Sequence, residues 1–231
     1  MKEGAVTLLD VLGWKGIWQR RPDAIQALRG TIDLIRDIQE MEVRDNSRYA
    51  GLTPAIWGIS DTIALTTYGE ASLVLPFHAM ISRLLLSFSL TNEFALRGAT
   101  SYGWFYSEDN MLVGPAVDEV ASWYEAVDWI GVIYAPSAFL YSILDSSIGA
   151  DYVRPYKVKV KAGGSFETLC VDWPDGMRNK DGTLTNTAKN LVNLFLKSQP
   201  ITPDLAGKLS NTLTYLENGQ GLRELTREEH S

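Results

Sequence analysis

The alternation of apolar and polar positions divides the first half of the chain into short strands and helices. Residues 5–9 form a near-continuous apolar run, typical of a strand that is covered on both faces. Ile25, Leu28, Ile32, Ile35 and Ile38 recur at helical spacing, which predicts an amphipathic helix. Residues 55–69 consist of two apolar arms that meet at Ser60 and Asp61, which predicts a hairpin. Residues 70–91 predict a long and largely buried helix.

The second half of the chain continues the mixture of strands and helices. It predicts a strand pair over 94–114, a helix over 115–127, a strand over 129–136, a short helix over 137–147 and a closing hairpin over 156–174. Two further helices are predicted between about 183 and 218. The resulting order, β, α, ββ, α, ββ, α, β, α, ββ, lacks strict βαβ alternation. It therefore predicts an α+β fold with a ferredoxin-like mixed sheet.

Composition narrows the classes of function that need to be considered. The chain has 231 residues and a net charge of −7, so it can hold one full domain but has no overall basic character to favour nucleic acid. Cys170 is the only cysteine, which excludes an intrachain disulfide and a cysteine-based zinc site. No signal peptide is evident, and Pro76, His78 and Arg83 interrupt the most apolar stretch. We expect a cytoplasmic protein with neither a membrane nor a nucleic-acid partner, and a packed rather than catalytic His78.

Two aspartates carry the candidate chemistry. Asp10 follows the first buried strand and precedes a loop with two glycines, residues 11–16, whose backbone N–H groups suit phosphate. Asp61 lies in the turn of the following hairpin, and in a βαββ unit that hairpin is a neighbour of the first strand. The two carboxylates can therefore converge, and a divalent ion is the usual way to offset their repulsion. Taken singly, each aspartate is more typical of a helix cap or a turn.

Four segments in this order and spacing resemble the class III nucleotidyl cyclase homology domain: VTLLDVLGWKGI, GISDTIALTTYGE, FALRGATSYGWFY and VGPAVDEVASWYE. The resemblance covers roughly residues 4–172, so we expect a catalytic domain over 1–175 and a C-terminal helical extension with a frayed tail over 176–231. It implies that Asp10 and Asp61 hold two Mg²⁺ or Mn²⁺ ions, and that Val11, Leu12, Gly13 and Trp14 bind the triphosphate. It also implies a head-to-tail homodimer with sites at the interface. The late lysine of that family corresponds to Lys159 or Lys161, and Lys161 is favoured because it borders a turn.

The departures from the family pattern concern the base and the transition state. Trp57 stands where purine cyclases carry lysine or glutamate, and Met111 or Leu112 where they carry aspartate or a small polar residue such as cysteine. Asp118 and Ser122 stand at the positions of the helical asparagine and arginine, and Ser60 at that of a glycine.

This pattern is most similar to the Pycsar anti-phage pyrimidine cyclases, which implies UTP, then CTP, as substrate and a separate effector for the cyclic product. Tyr49, Thr53 and Trp57 would then wall a smaller base pocket, with Asp118 also contacting substrate. The same three residues are equally typical of a sheet edge.

A second interpretation is a degenerate cyclase domain that only binds nucleotide or dimerises. The loss of the arginine at Ser122 favours it, because phosphoryl-type transfer depends on positioned positive charge. Retention of both aspartates opposes it, since a repulsive carboxylate pair costs stability without a metal. Arg97 or Lys161 are the alternatives for the missing cation, although Arg97 is more typical of a strand residue that pairs with an acid.

Overall fold

A single mixed sheet with helices packed against it forms the body of the protein. The structure is a computed structural model that describes residues 1–14, 17, 21–108, 111–145, 148, 151–174, 185–197 and 201–228. Its strands are β1 (Lys2–Val11), β2 (Ala55–Ile59), β3 (Thr62–Tyr68), β4 (Leu96–Glu108), β5 (Met111–Val113), β6 (Gly131–Tyr134), β7 (Val153–Lys159) and β8 (Ser165–Val171). Its helices are α1 (Ala24–Asp45), α2 (Ala71–Thr91), α3 (Pro115–Trp123), α4 (Pro136–Leu144), α5 (Asn186–Lys197) and α6 (Pro203–Glu228).

The observed order of elements confirms the predicted α+β fold. The sheet runs β2-β3-β1-β4-β6-β8-β7, with β5 paired to β4, and all neighbours are antiparallel except β4 and β6. The β2–β3 hairpin turns at Ser60 and Asp61 as the apolar arms predict. Gly103, expected to punctuate the strand pair, instead lies inside β4, and the predicted turn residues Asp109 and Asn110 lie outside the described residues.

The core strand β1 explains why the first apolar run is uninterrupted. It pairs with β3 on one side and β4 on the other, and every residue from Gly4 to Val11 is buried. Helix α2 covers this part of the sheet, and most of its length is buried. By length and composition α2 is the one described helix that could cross a bilayer, but 72% of its most apolar window is buried inside the protein.

A short polar network lies beneath α2, and it accounts for the histidine. His78 is 1% exposed; its Nδ1 lies 2.8 Å from Thr7 Oγ1 and its Nε2 3.0 Å from Thr67 Oγ1. Thr100 Oγ1 lies 2.7 Å from the Thr7 hydroxyl on the other side. Burial lowers the pKa of His78 to about 3, so the ring is neutral at physiological pH. His78 is therefore a packed histidine, as predicted.

Helix α1 needs one correction to its predicted apolar stripe. Leu28, Ile32 and Ile35 are buried as expected, but Ile25 is 54% exposed. The buried face begins at Ala24, one position earlier, and successive residues of a helix point about 100° apart. A residue directly after the start of the buried face consequently projects to solvent.

The two C-terminal helices pack on the same body. Leu191 and Phe195 of α5 are buried, and Lys197 forms an ion pair with Glu93 beyond the end of α2. Tyr215 of α6 is fully buried and donates a hydrogen bond of 2.8 Å to the carbonyl of Val171. The backbone of α6 is helical to Glu228, and the predicted boundary near residue 175 lies outside the described residues.

Candidate active site at the end of strand β1

The first candidate aspartate lies where β1 leaves the centre of the sheet. Asp10 is 8% exposed, and its register partners are Thr62 in β3 and Arg97 in β4. Because β1 is flanked on both sides, side chains of both neighbours can meet the Asp10 carboxylate. Strand β1 therefore places Asp10 at its carboxyl end, and the neighbouring strands β3 and β4 supply the side chains around it.

The second candidate aspartate comes from the β2–β3 turn. The Val11 amide donates a 2.8 Å hydrogen bond to the Asp61 carbonyl, which fixes the turn beside the end of β1. Ser60 has a φ of 59°, in the left-handed region that glycine adopts most readily, which explains a glycine preference at this position. The negative charge of Asp61 acts on Asp10 and raises the pKa of its carboxyl. The structure thus brings the two predicted metal-binding aspartates together.

Arg97 neutralises Asp10 directly. Its Nε and Nη2 lie 2.9 Å and 2.7 Å from the same carboxylate oxygen, Oδ2. Both side chains are about nine-tenths buried, and Nη1 of Arg97 is a buried donor without a hydrogen-bond partner among the described residues. Arg97 is a strand residue that pairs with an acid, and that acid is the first candidate metal ligand. A buried guanidinium donor that lacks an acceptor suits a phosphate oxygen.

The charges around Asp10 remain predominantly negative. Burial raises the pKa of the Asp10 carboxyl, Arg97 lowers it, and Asp61 and Glu125 raise it further. Glu125 accepts a hydrogen bond of 2.8 Å from the hydroxyl of Tyr124, which also bonds to Thr62 beside the turn. The carboxylates of Asp10, Asp61 and Glu125 outnumber the one guanidinium of Arg97, and we call this cluster of four residues the acidic corner. Sequence reasoning missed Tyr124 and Glu125, because only the packing of α3 brings them to the β1 end.

The donor set fits a divalent cation that arrives with a phosphate-bearing ligand. No group of three or more His, Cys, Asp or Glu side chains that could hold a metal occurs in the described part of the chain. Mg²⁺, however, is commonly held by one or two carboxylates and completes its shell with water and substrate phosphates. Arg97 contacts only Oδ2 of Asp10, which leaves Oδ1 for such an ion. Asp10 and Asp61 are therefore the residues that could hold it.

Lys161 lies within electrostatic reach of Arg97. Its backbone amide donates a 2.8 Å hydrogen bond to the carbonyl of Ala126, which ties the β7–β8 turn to the segment before β6. Desolvation and the cations of Arg97 and Lys208 lower the pKa of Lys161, and Glu125 and Asp128 partly offset this. The predicted late lysine and Asp10 thus have two charged neighbours in common, Arg97 and Glu125.

The loop after Asp10 is partly described. Val11 and Trp14 are buried, Leu12 is half-buried and Gly13 is exposed with a φ of 73°. The Leu12 amide donates to the carbonyl of Ala95, and the Trp14 ring lies 6.1 Å from that of Phe94. Lys15 and Gly16, the rest of the predicted phosphate loop, lie outside the described residues.

The predicted base-pocket residues do not meet Asp10 within this chain. Tyr49 is 2% exposed and packs edge-on against Phe77, with 5.1 Å between ring centroids. Thr53 is exposed, and Trp57 is exposed on the edge strand β2, which β3 separates from β1. Trp57 also lines a 530 Å³ surface pocket against α1.

The substituted helical positions also lie apart from the acidic corner. Asp118 and Ser122 are one turn apart on the exposed side of α3, where the Ser122 hydroxyl donates to the Asp118 carbonyl at 2.9 Å. No contact between these side chains and Asp10, Asp61 or Lys161 exists in the described part of the chain. Their exposure leaves them accessible to a ligand or to another chain.

Comparison with known proteins agrees on the fold. No protein-family model and no curated protein matches the chain. Among solved structures, the adenylate cyclases of Trypanosoma brucei in their monomeric state are similar, with a TM-score of 0.51, 10% identity, and coverage of 75% of this chain and 90% of theirs. The catalytic core of a rhodopsin-guanylyl cyclase in complex with ATPαS has a TM-score of 0.47 and 16% identity, with 74% and 94% of the two chains covered.

An adenylate/guanylate cyclase/hydrolase from Silicibacter pomeroyi has a TM-score of 0.45 and 14% identity, with 74% and 96% of the chains covered. Of these three structures, only the Trypanosoma brucei cyclases exceed a TM-score of 0.5, and at 10% identity that similarity bears on architecture alone. Activity has to be argued from the site. The chain has the fold of the class III nucleotidyl cyclase catalytic domains.

Proposed function

We propose that the protein is a nucleotidyl cyclase that converts a pyrimidine nucleoside triphosphate, UTP before CTP, to its 3′,5′-cyclic monophosphate and pyrophosphate. The observation that carries the proposal is the meeting of Asp10 and Asp61 beside Arg97 at the end of β1, in a fold of this type. An acidic pair next to a guanidinium with one unpartnered donor suits a metal-bound triphosphate better than either group alone does.

In the reaction, the ribose 3′-oxygen attacks the α-phosphorus and its proton passes to solvent, while the bond from the α-phosphorus to the bridging oxygen breaks and pyrophosphate leaves. Two Mg²⁺ or Mn²⁺ ions at Asp10 and Asp61 would lower the pKa of the 3′-hydroxyl and offset the charge of the phosphates. Arg97 supplies a buried guanidinium beside them, and its unpartnered Nη1 can donate to a phosphate oxygen. Lys161 supplies a second cation for the triphosphate. The amides of Val11 and Leu12 donate to the carbonyls of Asp61 and Ala95, so they would bind phosphate only by exchanging these acceptors.

The pyrimidine preference rests on the resemblance and on bulk at the edge of the sheet. Trp57 is a large exposed side chain at the position of the purine-reading residue, and Thr53 lies on the same segment. Tyr49 is buried against Phe77 and therefore does not contribute to this wall. A wall that fills purine space rejects the larger base sterically.

A complete site would require two copies of the chain. Asp118 and Ser122 are exposed, and in the described part of the chain they form no hydrogen bond or ion pair with Asp10. This is expected if they face the acidic corner of a partner protomer. We therefore propose a homodimer in the cytoplasm, with no nucleic-acid or membrane partner. Its cyclic product would act as a second messenger on a separate effector in bacterial anti-phage defence.

The test is incubation of the purified protein with each of the four ribonucleoside triphosphates and Mn²⁺, with products identified by mass and Asp61→Ala as the control. A cyclic pyrimidine monophosphate that disappears in the variant supports the proposal. Cyclic AMP or cyclic GMP would keep the chemistry and overturn the base assignment. No cyclic product from a protein that is dimeric by sedimentation would favour the alternative, a degenerate domain that binds nucleotide or dimerises.

A further inference from the structure

Helix α6 lies outside the segment that resembles the cyclases, yet it contacts the connection next to the acidic corner. The Asn211 amide donates a 2.8 Å hydrogen bond to the carbonyl of Asp128, and the Ile130 amide donates one of 3.0 Å to the hydroxyl of Thr212. The strand that follows, β6, is the neighbour of Arg97 in the sheet. Helix α6 therefore fixes the chain that borders Arg97.

Aromatic and cation–π contacts of Tyr215 hold α6 against the rest of the protein. Tyr215 packs edge-on against Trp129 at 4.5 Å and Tyr156 at 4.8 Å between ring centroids. The guanidinium of Arg154 lies 3.7 Å from the Tyr215 ring, and its Nη2 donates to the Tyr215 carbonyl at 2.6 Å. Aromatic and cation–π contacts in a buried setting resist sliding of the helix.

Lys208 of α6 pairs with Asp128 in this connection. Its side chain is 8% exposed, its Nζ lies 3.5 Å from Oδ1 of Asp128, and it donates a hydrogen bond to Asp204 one turn earlier. Oδ1 of Asp128 is buried and has no hydrogen-bond partner in the described part of the chain. A buried carboxylate is costly without a cation, so Lys208 offsets a charge that would otherwise seek another partner.

Lys161, which we propose meets the triphosphate, also lies within electrostatic reach of Asp128. The Asp128 amide donates to the carbonyl of Lys159 at 3.2 Å, which aligns the segment of Asp128 with that of Lys161. The charge of Asp128 acts on Lys161, as do those of Arg97 and Lys208. Asp128 is thus shared between a structural lysine on α6 and a lysine that the substrate needs.

We propose that Lys208 is a positioning residue: by pairing with Asp128 and Asp204 it leaves Lys161 free for the triphosphate. This inference rests on the proposed function, in which Lys161 meets phosphate. Without Lys208, Asp128 draws Lys161 into an ion pair, and the triphosphate loses a cation. The C-terminal extension is then a working part of the site.

The experiment measures binding of inorganic tripolyphosphate with Mg²⁺ by calorimetry, together with kcat and KM for the nucleotide. Lys208→Met should weaken tripolyphosphate binding about tenfold and raise KM similarly, with kcat less affected. Lys208→Arg should retain binding because it keeps the charge. Lys208→Met/Asp128→Asn should restore it, because the competing carboxylate is gone. Lys157→Met, an exposed lysine on β7, is the matched control.

Either of two results with the variants overturns the inference: unchanged tripolyphosphate binding in Lys208→Met, or no recovery in the double variant when its melting temperature equals that of the wild type. A wild-type protein that binds no tripolyphosphate overturns it as well. A wild-type protein that binds tripolyphosphate but makes no cyclic product refutes the proposed cyclase. In that case weaker binding in Lys208→Met still supports the positioning role, because calorimetry requires no turnover.

Discussion

Replacement of Arg97 by methionine tests the electrostatics of the corner. The variant keeps much of the side-chain volume and removes the cation that lies 2.7 Å and 2.9 Å from Asp10 Oδ2. Charges about 4 Å apart at an effective dielectric constant of about 20 attract by about 4 kcal/mol. Removal of one partner of a buried pair typically costs about 3–5 kcal/mol. We expect a loss of about 3 kcal/mol, since Asp10 can take up a proton, or about 6–12 °C in Tm for a chain of this size.

The assay is thermal and urea unfolding at pH 7, with and without Mn²⁺. Asp10→Asn/Arg97→Met should recover most of the stability, because no unpaired charge is left buried. Mn²⁺ should stabilise Arg97→Met more than the wild type, because the guanidinium that pairs with Asp10 is then gone. A free Mn²⁺ concentration of about 100 times its Kd corresponds to a stabilisation of the folded state by about 2.7 kcal/mol.

A loss below about 1 kcal/mol in Arg97→Met would refute the argument that Asp10 depends on Arg97. Equal stabilisation of wild type and variant by Mn²⁺ would refute the second step, that the two aspartates form a cation site in competition with Arg97. Asp61→Ala in the Arg97→Met background is the control for the metal, since it should abolish the additional Mn²⁺ effect.

Two further predictions concern the scaffold. The folded-state pKa of His78 is about 3, below its ordinary value of 6.5, so stability is full above pH 6.5 and falls as pH drops towards 3. At pH 4.5 the loss should be about 3 kcal/mol relative to pH 7, measured by urea unfolding, and His78→Gln should lack this component. Gly98→Ala places a Cβ 2.3 Å from the Leu8 carbonyl and should cost about 2 kcal/mol or more. Gly30→Ala in α1 meets nothing within 4 Å and should instead stabilise by about 0.5–1 kcal/mol; equal effects of the two alanines would contradict the close approach of β1 and β4.

The sequence alone determined the order of elements and the two aspartates. Strand β1 can be recognised in the sequence because both of its faces and both of its edges are covered, which requires an uninterrupted apolar run before Asp10. The β2–β3 hairpin can be recognised in the sequence because two apolar arms meet at a short polar turn. Local patterns of this kind reflect burial and turn geometry, which act over a few residues.

Tertiary structure decided which charges share the corner. Arg97 meets Asp10 only through the register of β1 against β4, and the two residues are 87 positions apart in the chain. The spacing of Asp204 and Lys208 is typical of a solvent-exposed helical pair, but packing of α6 buries Lys208 against Asp128. Tyr49 was predicted near a base, and the fold packs it against Phe77. Ion pairs between distant segments depend on strand register and helix docking, and no local pattern in the sequence encodes either.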